Sequence, residues 1–255
     1  MRLIGSYAYL AFLCLSTAVI GILGLPFMAN EGAARRIAKL WTGSNLAAAR
    51  LLCGIRSDIR GAEHAGPGPA ILAAKHQSMW ETLRLYVDLP RPCFVLKKEL
   101  KSIPMFGWWC QAAGFIFVDR DAGATALRSL LSDARKAVDG GASHIVIFPE
   151  GTRVAPGERA PYQPGVAALA KSLKLPVIPV AHNSGSYWLT PGPRKIPGTI
   201  TLEYLPTLPA GLSRADLTEQ LEGAIEGAMA RLETRGPDGQ EAGASIPTGE
   251  PSHGR

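Results

Sequence analysis

The sequence HIVIFPEGTR, residues 144–153, is the most informative part of the chain, because a mostly apolar run ends there abruptly in a polar loop. Residues 144–148 have the length and the apolar character of a buried strand. Pro149 to Arg153 add a glycine, its neighbouring backbone N–H groups and an arginine, a combination that forms concave anion sites. A tight turn with a Glu150–Arg153 surface ion pair is the alternative interpretation. The sequence therefore predicts a buried strand with a polar loop at its carboxyl end.

Similar apolar runs recur on both sides of this stretch, and helical patterns separate several of them. The further strand-like runs are Ala70–Ala74, Cys93–Leu96, Phe115–Val118, Val177–Ala181 and Ile200–Leu205. The helical patterns are Met79–Leu89, Thr125–Val138, Val166–Leu173 and Arg214–Leu232. Strands alternating with helices in this way predict the α/β class, with a mixed sheet covered by helices.

A second polar cluster, KHQSMWETL at residues 75–83, follows directly after the run Ala70–Ala74. Loops at the carboxyl ends of strands are where α/β folds usually display reactive groups. A histidine in such a loop can take up a proton near neutral pH. Glu81 could orient His76 and stabilise its protonated form, as the third member of a catalytic triad does.

The five-residue spacing of His76 and Glu81 restricts how they can meet. On a continuous helix the two side chains point in different directions, so contact requires His76 to lie in the turn before the helix. Ser78 supports that geometry, because Ser-x-x-Glu at residues 78–81 is a capping box that starts the helix after the histidine. The same motif allows Glu81 simply to cap the Ser78 amide. Both interpretations fit the sequence.

A third strand-like segment, GFIFVDR at residues 114–120, also ends in charged residues. Three strands that each deliver charge at the carboxyl end are expected to converge on one site at one edge of the sheet. Such a convergence favours a single functional centre over three unrelated loops.

Four ordered blocks resemble those of the glycerolipid acyltransferases, and among them the bacterial 1-acylglycerol-3-phosphate acyltransferases. The blocks are His76 with an acid five positions on, Phe117–Arg120, Phe148–Arg153 and Val177–Val180. The resemblance covers about residues 70–205, and Phe-Pro-Glu-Gly-Thr-Arg is its most specific part. It implies a glycerol-3-phosphate acyltransferase-like fold and acyl transfer from a thioester to a lipid hydroxyl.

The resemblance also implies residue roles. His76 is expected to be the general base that deprotonates the acceptor hydroxyl, and Glu81 is expected to orient it. Arg153 is expected to make the main phosphate contact. The full set expected to hold the glycerol phosphate is Lys98, Arg120, Glu150, Gly151, Thr152 and Arg153.

The implied reaction moves an acyl group from acyl-CoA or acyl-carrier protein (acyl-ACP) to the sn-2 hydroxyl of lysophosphatidic acid, giving phosphatidic acid. It requires no metal, no other cofactor and no covalent acyl-enzyme. The family usually has aspartate where this chain has Glu81, which leaves open another lysophospholipid acceptor, such as a lyso-ornithine lipid. A membrane lipid-binding protein that has lost catalysis is the alternative outside the enzymes.

Residues 1–55 are interpreted as membrane-anchoring helices. No charged residue occurs from Leu3 to Asn30, about the length that a membrane helix needs. If the segment spans a membrane, the basic residues that follow, Arg35, Arg36 and Lys39, place the catalytic domain on the cytoplasmic face. The resemblance to bacterial enzymes implies that this membrane is the bacterial inner membrane. A cleaved signal peptide, a re-entrant helix and an interfacial helix are the alternatives to a spanning one.

Residues 56–235 are expected to form the acyltransferase domain, and residues 236–255, rich in Gly, Pro, Ser and Glu, a disordered tail. The net charge of +6 favours anionic partners, but scattered basic residues beside a membrane segment argue against nucleic acid. The four cysteines lack paired spacing and predict reduced structural thiols. The histidines show no metal-ligand spacing, so no metal site is expected.

Overall fold

A computed structural model of the chain describes residues 2–233. Within them, the helices α1 to α7 span Arg2–Leu23, Glu31–Cys53, Trp80–Asp88, Phe106–Ala112, Gly123–Asp139, Gly165–Leu173 and Arg214–Glu233. The strands β1 to β7 span Ile55–Arg60, Ala70–Ala74, Pro92–Lys97, Ile116–Val118, His144–Ile147, Val177–His182 and Gly198–Tyr204. The tail at residues 236–255 lies outside the described residues, so its expected disorder stays a prediction.

The strands form one seven-stranded sheet in the order β1-β7-β6-β2-β5-β3-β4. The pairs from β6 through β2, β5 and β3 to β4 are parallel, whereas β6 and β7 are antiparallel. β1 pairs in parallel with β7 and therefore also runs against the other five strands. The predicted mixed α/β sheet is confirmed.

Both faces of the central strands are covered, which explains why their sequences are apolar without alternation. Every residue of β2 is buried, with Leu72 and Ala74 facing one apolar cluster and Ile71 and Ala73 facing the other. The first cluster packs under α1, α2, α3 and α4, and the second packs under α5, α6 and α7. The domain is thus a three-layer structure of helices, sheet and helices.

Two elements, β1 and α4, have no clear signal in the sequence pattern. β1 carries Arg56, Asp58 and Arg60 and buries only Ile55, because it lies at the edge of the sheet, where charged side chains block further pairing. α4 has only seven residues, too few to display a helical period. The other predicted strands and helices begin and end within about two residues of those observed, the usual uncertainty of helix ends.

The α1–α2 hairpin packs closely on itself and on the domain. A side-chain carbon at Gly5 would lie 2.2 Å from the Leu52 carbonyl oxygen, so glycine is required where the two helices meet. Trp41 Nε1 donates to Thr17 Oγ1 at 3.1 Å farther along the hairpin. At the other end of α1, Gly24 lies directly against the ring of Trp109 in α4. α1 therefore has one face against protein along its length.

The middle of α1 is attached to the segment that precedes β7. The Tyr9 ring meets Trp188 edge-on with a centroid separation of 5.1 Å. Lys195 Nζ lies 4.4 Å from the centroid of the Trp188 ring, and the Lys195 backbone N–H donates to Ser6 Oγ at 2.9 Å. These contacts join α1 to the sheet domain, so the first 55 residues form one continuous structure with it.

Candidate active site

His76 lies two residues beyond the end of β2 and four residues before the start of α3, in the turn that the capping box predicts. Its Nδ1 atom is 2.8 Å from Glu81 Oε1. The imidazole stacks on the ring of Phe148, with the centroids 4.0 Å apart and the planes at 20°. Since the His76 side chain is 17% exposed, the ring is held on two sides and still reaches the surface.

Glu81 is fully buried and accepts hydrogen bonds at both carboxylate oxygens. Oε1 accepts from His76 Nδ1 and from the backbone N–H groups of Gln77 and Ser78, at 2.8 to 3.0 Å. Oε2 accepts from the hydroxyls of Ser78 and Ser184, at 2.7 and 2.8 Å. One carboxylate therefore caps the Ser78 amide and also contacts the imidazole, while the catalytic roles of His76 and Glu81 stay predictions.

The charge state of Glu81 is set by these contacts. Burial alone would raise the pKa of the carboxyl, but the nearby His182 ring, the hydrogen bond from His76 and that from Ser78 outweigh burial and hold the pKa below its usual range. An ionised carboxylate is acceptor-only, so His76 Nδ1 must donate to it. The lone pair of the neutral imidazole is then on Nε2, which is the atom able to take a proton from a hydroxyl.

Ser184 and His182 belong to this site, although both lie outside the four sequence blocks. They lie at and just after the end of β6, the strand next to β2 in the sheet. His182 Nε2 donates to the Lys75 carbonyl oxygen at 2.8 Å, and its Nδ1 accepts the Ser184 N–H at 3.3 Å. The available signal is position alone, since both residues come at the carboxyl end of a buried parallel strand, as His76 does.

Glu150 has a different surrounding from the one expected of a phosphate contact. Its side chain is buried, with Oε1 2.5 Å from Lys75 Nζ and Oε2 accepting the His76 backbone N–H at 3.0 Å. Burial raises the pKa of Glu150, and the contacts with Lys75 and the His76 amide oppose that rise. A carboxylate held this way supports the histidine turn, which corrects the expectation that Glu150 contacts an anionic ligand.

Three other residues of the expected phosphate set lie next to one another. Lys97 of β3 pairs in register with Val118 of β4, so Lys98 and Asp119 follow side by side, and Lys98 Nζ is 2.8 Å from Asp119 Oδ2. A side-chain carbon at Gly151 would lie 3.4 Å from Arg120 Nη1, so Arg120 reaches the loop that follows β5. The strands thus bring Arg120 to the loop that follows Phe148, the ring on which His76 stacks, and place Lys98 beside the neighbouring Asp119.

Burial lowers the pKa of the Arg120 guanidinium, and Glu99 opposes this effect, so a cation remains beside the Gly151 loop. Gly151 itself adopts a φ of 71°, a left-handed conformation that favours glycine. Thr152 and Arg153 come next, with exposed side chains. The arrangement is a surface ledge with cations beside a glycine-containing loop, a chemistry that suits a phosphate monoester.

His144 has structural surroundings. His144 Nε2 lies 2.9 Å from the Ala65 carbonyl oxygen, and burial lowers the pKa of this ring, opposed by that hydrogen bond. Between residues 2 and 233, no three His, Cys, Asp or Glu side chains gather in a way that could hold a metal ion. Cys53, Cys93 and Cys110 are buried free thiols, and Cys14 is an exposed one.

Comparisons with known proteins give the site its context. A family model described as acyltransferase matches residues 56–183. The chain is 35% identical to the 1-acyl-sn-glycerol-3-phosphate acyltransferase of Pseudomonas aeruginosa, over 82% of this chain and 81% of that protein. It is 31% identical to the human 1-acyl-sn-glycerol-3-phosphate acyltransferase alpha, over 66% of this chain and 60% of the human one.

The fold comparison agrees. The crystal structure of the 1-acyl-sn-glycerophosphate acyltransferase from Thermotoga maritima superposes with a TM-score of 0.74 at 18% identity, covering 91% of this chain and 98% of that one. The shared fold therefore extends well beyond the matched blocks and reaches into the N-terminal helices. Together with the relatives above, it shows that the chain belongs to the acyltransferase family.

Proposed function

We propose that the chain transfers a fatty acyl group from a thioester donor to the sn-2 hydroxyl of lysophosphatidic acid and so forms phosphatidic acid. The relatives named 1-acyl-sn-glycerol-3-phosphate acyltransferases support this reaction class. The observation that carries the proposal is the 2.8 Å contact between His76 Nδ1 and Glu81 beside a cationic ledge. The contact provides a general base and the ledge provides a phosphate site, and the reaction needs both.

In the proposed mechanism, His76 Nε2 removes the proton from the acceptor hydroxyl as the oxygen attacks the thioester carbonyl carbon. The new C–O bond forms, the C–S bond breaks, and the imidazolium returns the proton to the departing thiolate. Glu81 stabilises the transient imidazolium through Nδ1, as a carboxylate does in a catalytic triad. The step balances without a covalent acyl-enzyme.

The acceptor phosphate is proposed to sit on the ledge formed by Arg120, the Gly151 loop and Arg153, with Lys98 at its edge. Arginine suits this role, because its planar guanidinium bonds two phosphate oxygens at once. Acyl-CoA and acyl-ACP both remain candidate donors, since each presents the same thioester to His76. No metal or other cofactor takes part in the proposed chemistry.

Attachment to a membrane is proposed to occur through α1 at the lipid surface, without crossing it. α1 is the one helix of the described chain that is long and apolar enough to span a bilayer. Yet Ser6, Tyr9 and Gly21 of this helix lie against the domain, while Ile4, Leu15 and Val19 point outward. A helix with one docked face and one exposed apolar face fits an interfacial position.

The proposed setting is the cytoplasmic face of a bacterial inner membrane, with residues 1–55 as the attachment and 56–235 as the catalytic domain. Extraction of membranes with alkaline carbonate tests the attachment, because interfacial proteins are released and spanning ones stay in the pellet. Release of the full chain supports surface attachment. Retention in the pellet would favour a spanning α1 that has left the domain.

The reaction is tested with purified protein in vesicles, using labelled acyl-CoA and acyl-ACP with lysophosphatidic acid or lyso-ornithine lipid. We expect transfer to lysophosphatidic acid that falls by about three to four orders of magnitude in His76→Ala. Transfer only to another lyso-lipid would replace the acceptor and keep the mechanism. Absence of any His76-dependent transfer would contradict the enzyme and favour a lipid-binding protein.

A further inference from the structure

A buried ammonium group lies directly beneath the histidine turn. Lys75, the residue before His76, has a side chain that is 1% exposed, with Nζ 2.5 Å from Glu150 Oε1 and 2.8 Å from Glu226 Oε1. Burial alone would lower the pKa of Lys75, but its contacts with Glu150 and Glu226 outweigh burial and raise the pKa. The group is therefore a cation held between two carboxylates inside the protein.

The Lys75 ammonium connects to the histidine through Glu150. The carboxylate that pairs with Lys75 through Oε1 accepts the His76 backbone N–H through Oε2. Loss of the ammonium would leave a buried carboxylate unpaired next to the turn that carries the imidazole, a costly arrangement. The position of His76 thus depends on a charge that does not touch the ring.

The other partner of Lys75 comes from α7, an element that delivers no residue to the reacting groups. Glu226 Oε1 also accepts from the Tyr162 hydroxyl at 3.0 Å. Two turns further along the helix, Glu233 accepts from Gln77 Nε2 at 2.9 Å and from the Gly157 N–H at 3.0 Å. α7 therefore contacts the histidine turn and the loop after Arg153 at two separate points.

The rest of α7 packs firmly against the sheet, so the helix can fix the positions of Glu226 and Glu233. Leu221, Ile225 and Met229 are buried in the apolar cluster on that face of the sheet. The helix is thus fixed to the sheet by packing, and the two carboxylates project from a rigid element. Groups on rigid elements hold geometry better than groups on loops.

We propose that Lys75 and Glu226 are positioning residues, through which α7 sets the orientation of the His76 imidazole. We call Lys75, Glu150 and Glu226, together with Gln77 and Glu233, the α7 brace. The inference rests on the proposed function, in which His76 is the base. It assigns a role in turnover to a helix whose residues lie outside the four sequence blocks.

The primary test is Glu226→Gln, which keeps the shape of the side chain and removes its charge. We expect kcat to fall about 10-fold while KM for the acceptor stays within about 2-fold, since the phosphate ledge is untouched and misplacing a catalytic group affects turnover. Glu219→Gln, an exposed site on the same helix, is the matched control and is expected to retain wild-type kcat. Lys75→Met is expected to lose about 100-fold in kcat, because the buried Glu150 loses its cation and Glu226 keeps only Arg159, at 3.7 Å.

A double variant shows whether Lys75 and Glu226 act together or contribute to turnover independently. If Lys75 and Glu226 act as one unit, Lys75→Met with Glu226→Gln loses less activity than the product of the single losses. Multiplicative losses, or a Glu226→Gln enzyme with wild-type kcat, would overturn the inference. A kcat loss matched by a KM increase would overturn it too, because that pattern indicates general damage to the site.

A spectroscopic measurement keeps the test independent of turnover. In protein labelled with ¹⁵N-histidine, the His76 Nδ1–H signal, assigned by its absence in His76→Asn, is expected to shift or weaken in Glu226→Gln and to be unchanged in Glu219→Gln. An unchanged signal in Glu226→Gln would overturn the inference. If the wild type transfers no acyl group at all, the proposed function fails, and this signal still decides whether α7 positions the ring.

Discussion

The two halves of the candidate site differ in how completely their charged groups are satisfied before any substrate arrives. On the catalytic half, Glu81 is fully buried and accepts from five donors. On the phosphate half, Arg153 is exposed, and Lys98 is held by one exposed carboxylate, Asp119. One half is assembled in advance, while the other keeps its cations in water.

This difference indicates a division of labour. A base must be oriented before the reaction, because any reorganisation would add to the barrier. The cations of a phosphate site must lose bound water when the substrate arrives, and the site must then exchange product for new substrate. Substitutions on the catalytic half should therefore reduce kcat and stability, whereas those on the phosphate half should raise KM and leave the fold intact.

The largest effect is expected from Glu81→Gln, which breaks the catalytic half at its centre. An amide has an NH₂ group where the carboxylate accepts hydrogen bonds, so one or more buried donors lose their acceptor. We expect kcat to fall about 10³-fold, because the imidazole loses its orienting carboxylate. Unfolding free energy should fall by about 3 kcal/mol, as measured by urea denaturation. A variant within 10-fold of wild-type kcat would contradict the role of Glu81.

The contribution of Glu81 to the unfolding free energy should also appear in the pH dependence of stability. Because the pKa of Glu81 in the folded chain lies below the usual value of 4.5, its contribution is present above that value and is lost as pH falls below it. The difference in unfolding free energy between wild type and Glu81→Gln should therefore shrink on acidification below about pH 4.5. A difference that is constant down to pH 3 would show that the carboxylate charge is not the source.

Arg153→Ala tests the phosphate half and should give the next largest effect. Loss of a charge-assisted, two-point phosphate contact is expected to raise KM for lysophosphatidic acid about 50-fold, equivalent to about 2.3 kcal/mol, with kcat within a few-fold of wild type. Because the side chain is exposed, unfolding free energy should change by less than about 0.5 kcal/mol. A fall in kcat without a change in KM would reverse the proposed division.

Ser184→Ala should produce a smaller change, again on the catalytic half. The variant removes one of the two hydroxyls that donate to Glu81 Oε2. We expect kcat to fall about 5- to 10-fold and unfolding free energy to fall by about 1 kcal/mol, with KM unchanged. Ser186→Ala, in the same turn, serves as the control. Equal effects of the two substitutions would mean that the turn, and not the Glu81 contact, is responsible.

Lys98→Ala should give the smallest effect. The side chain is exposed and already paired with Asp119, so we expect KM for the acceptor to rise only about 3-fold, and less at high salt. Lys136, an exposed lysine paired with Asp133 on α5, gives a matched control variant. An effect of Lys98→Ala as large as that of Arg153→Ala would place Lys98 at the centre of the phosphate site.

Sequence patterns predict the sheet and the turn that carries His76 well, because both depend on residues that are close together in the chain. The apolar run Ala70–Ala74 is short and uninterrupted, as a buried strand requires, and the Ser78–Glu81 motif places a helix start immediately after His76. The edge strand β1 is not predicted, because most of its side chains are exposed and charged and therefore do not form an apolar run. Local signals thus identify buried strands and helix starts and miss an exposed edge strand.

The buried partners of Glu81 and Lys75 could not be predicted, because they come from distant parts of the chain. Ser184 is 103 residues from Glu81, and Glu226 is 151 residues from Lys75. Glu150 shows the same limit within a recognised block. Its position next to Arg153 suggests a surface ion pair, but the fold turns its carboxylate inward toward Lys75. Charge sign and spacing do not reveal which way a loop side chain points.

The close seating of α1 against the domain also affects how the enzyme meets its substrate. Tyr9 and Gly24 hold α1 and the residue that follows it against the protein. If the outer face of α1 attaches to lipid, the domain therefore lies at a fixed distance from the lipid surface. In the proposed attachment through the outer face of α1, the acceptor is collected sideways from the same leaflet and does not need to dissolve in water. Turnover should consequently depend on the mole fraction of lysophosphatidic acid in the surface, and diluting vesicles at constant composition should leave the rate per bound enzyme unchanged.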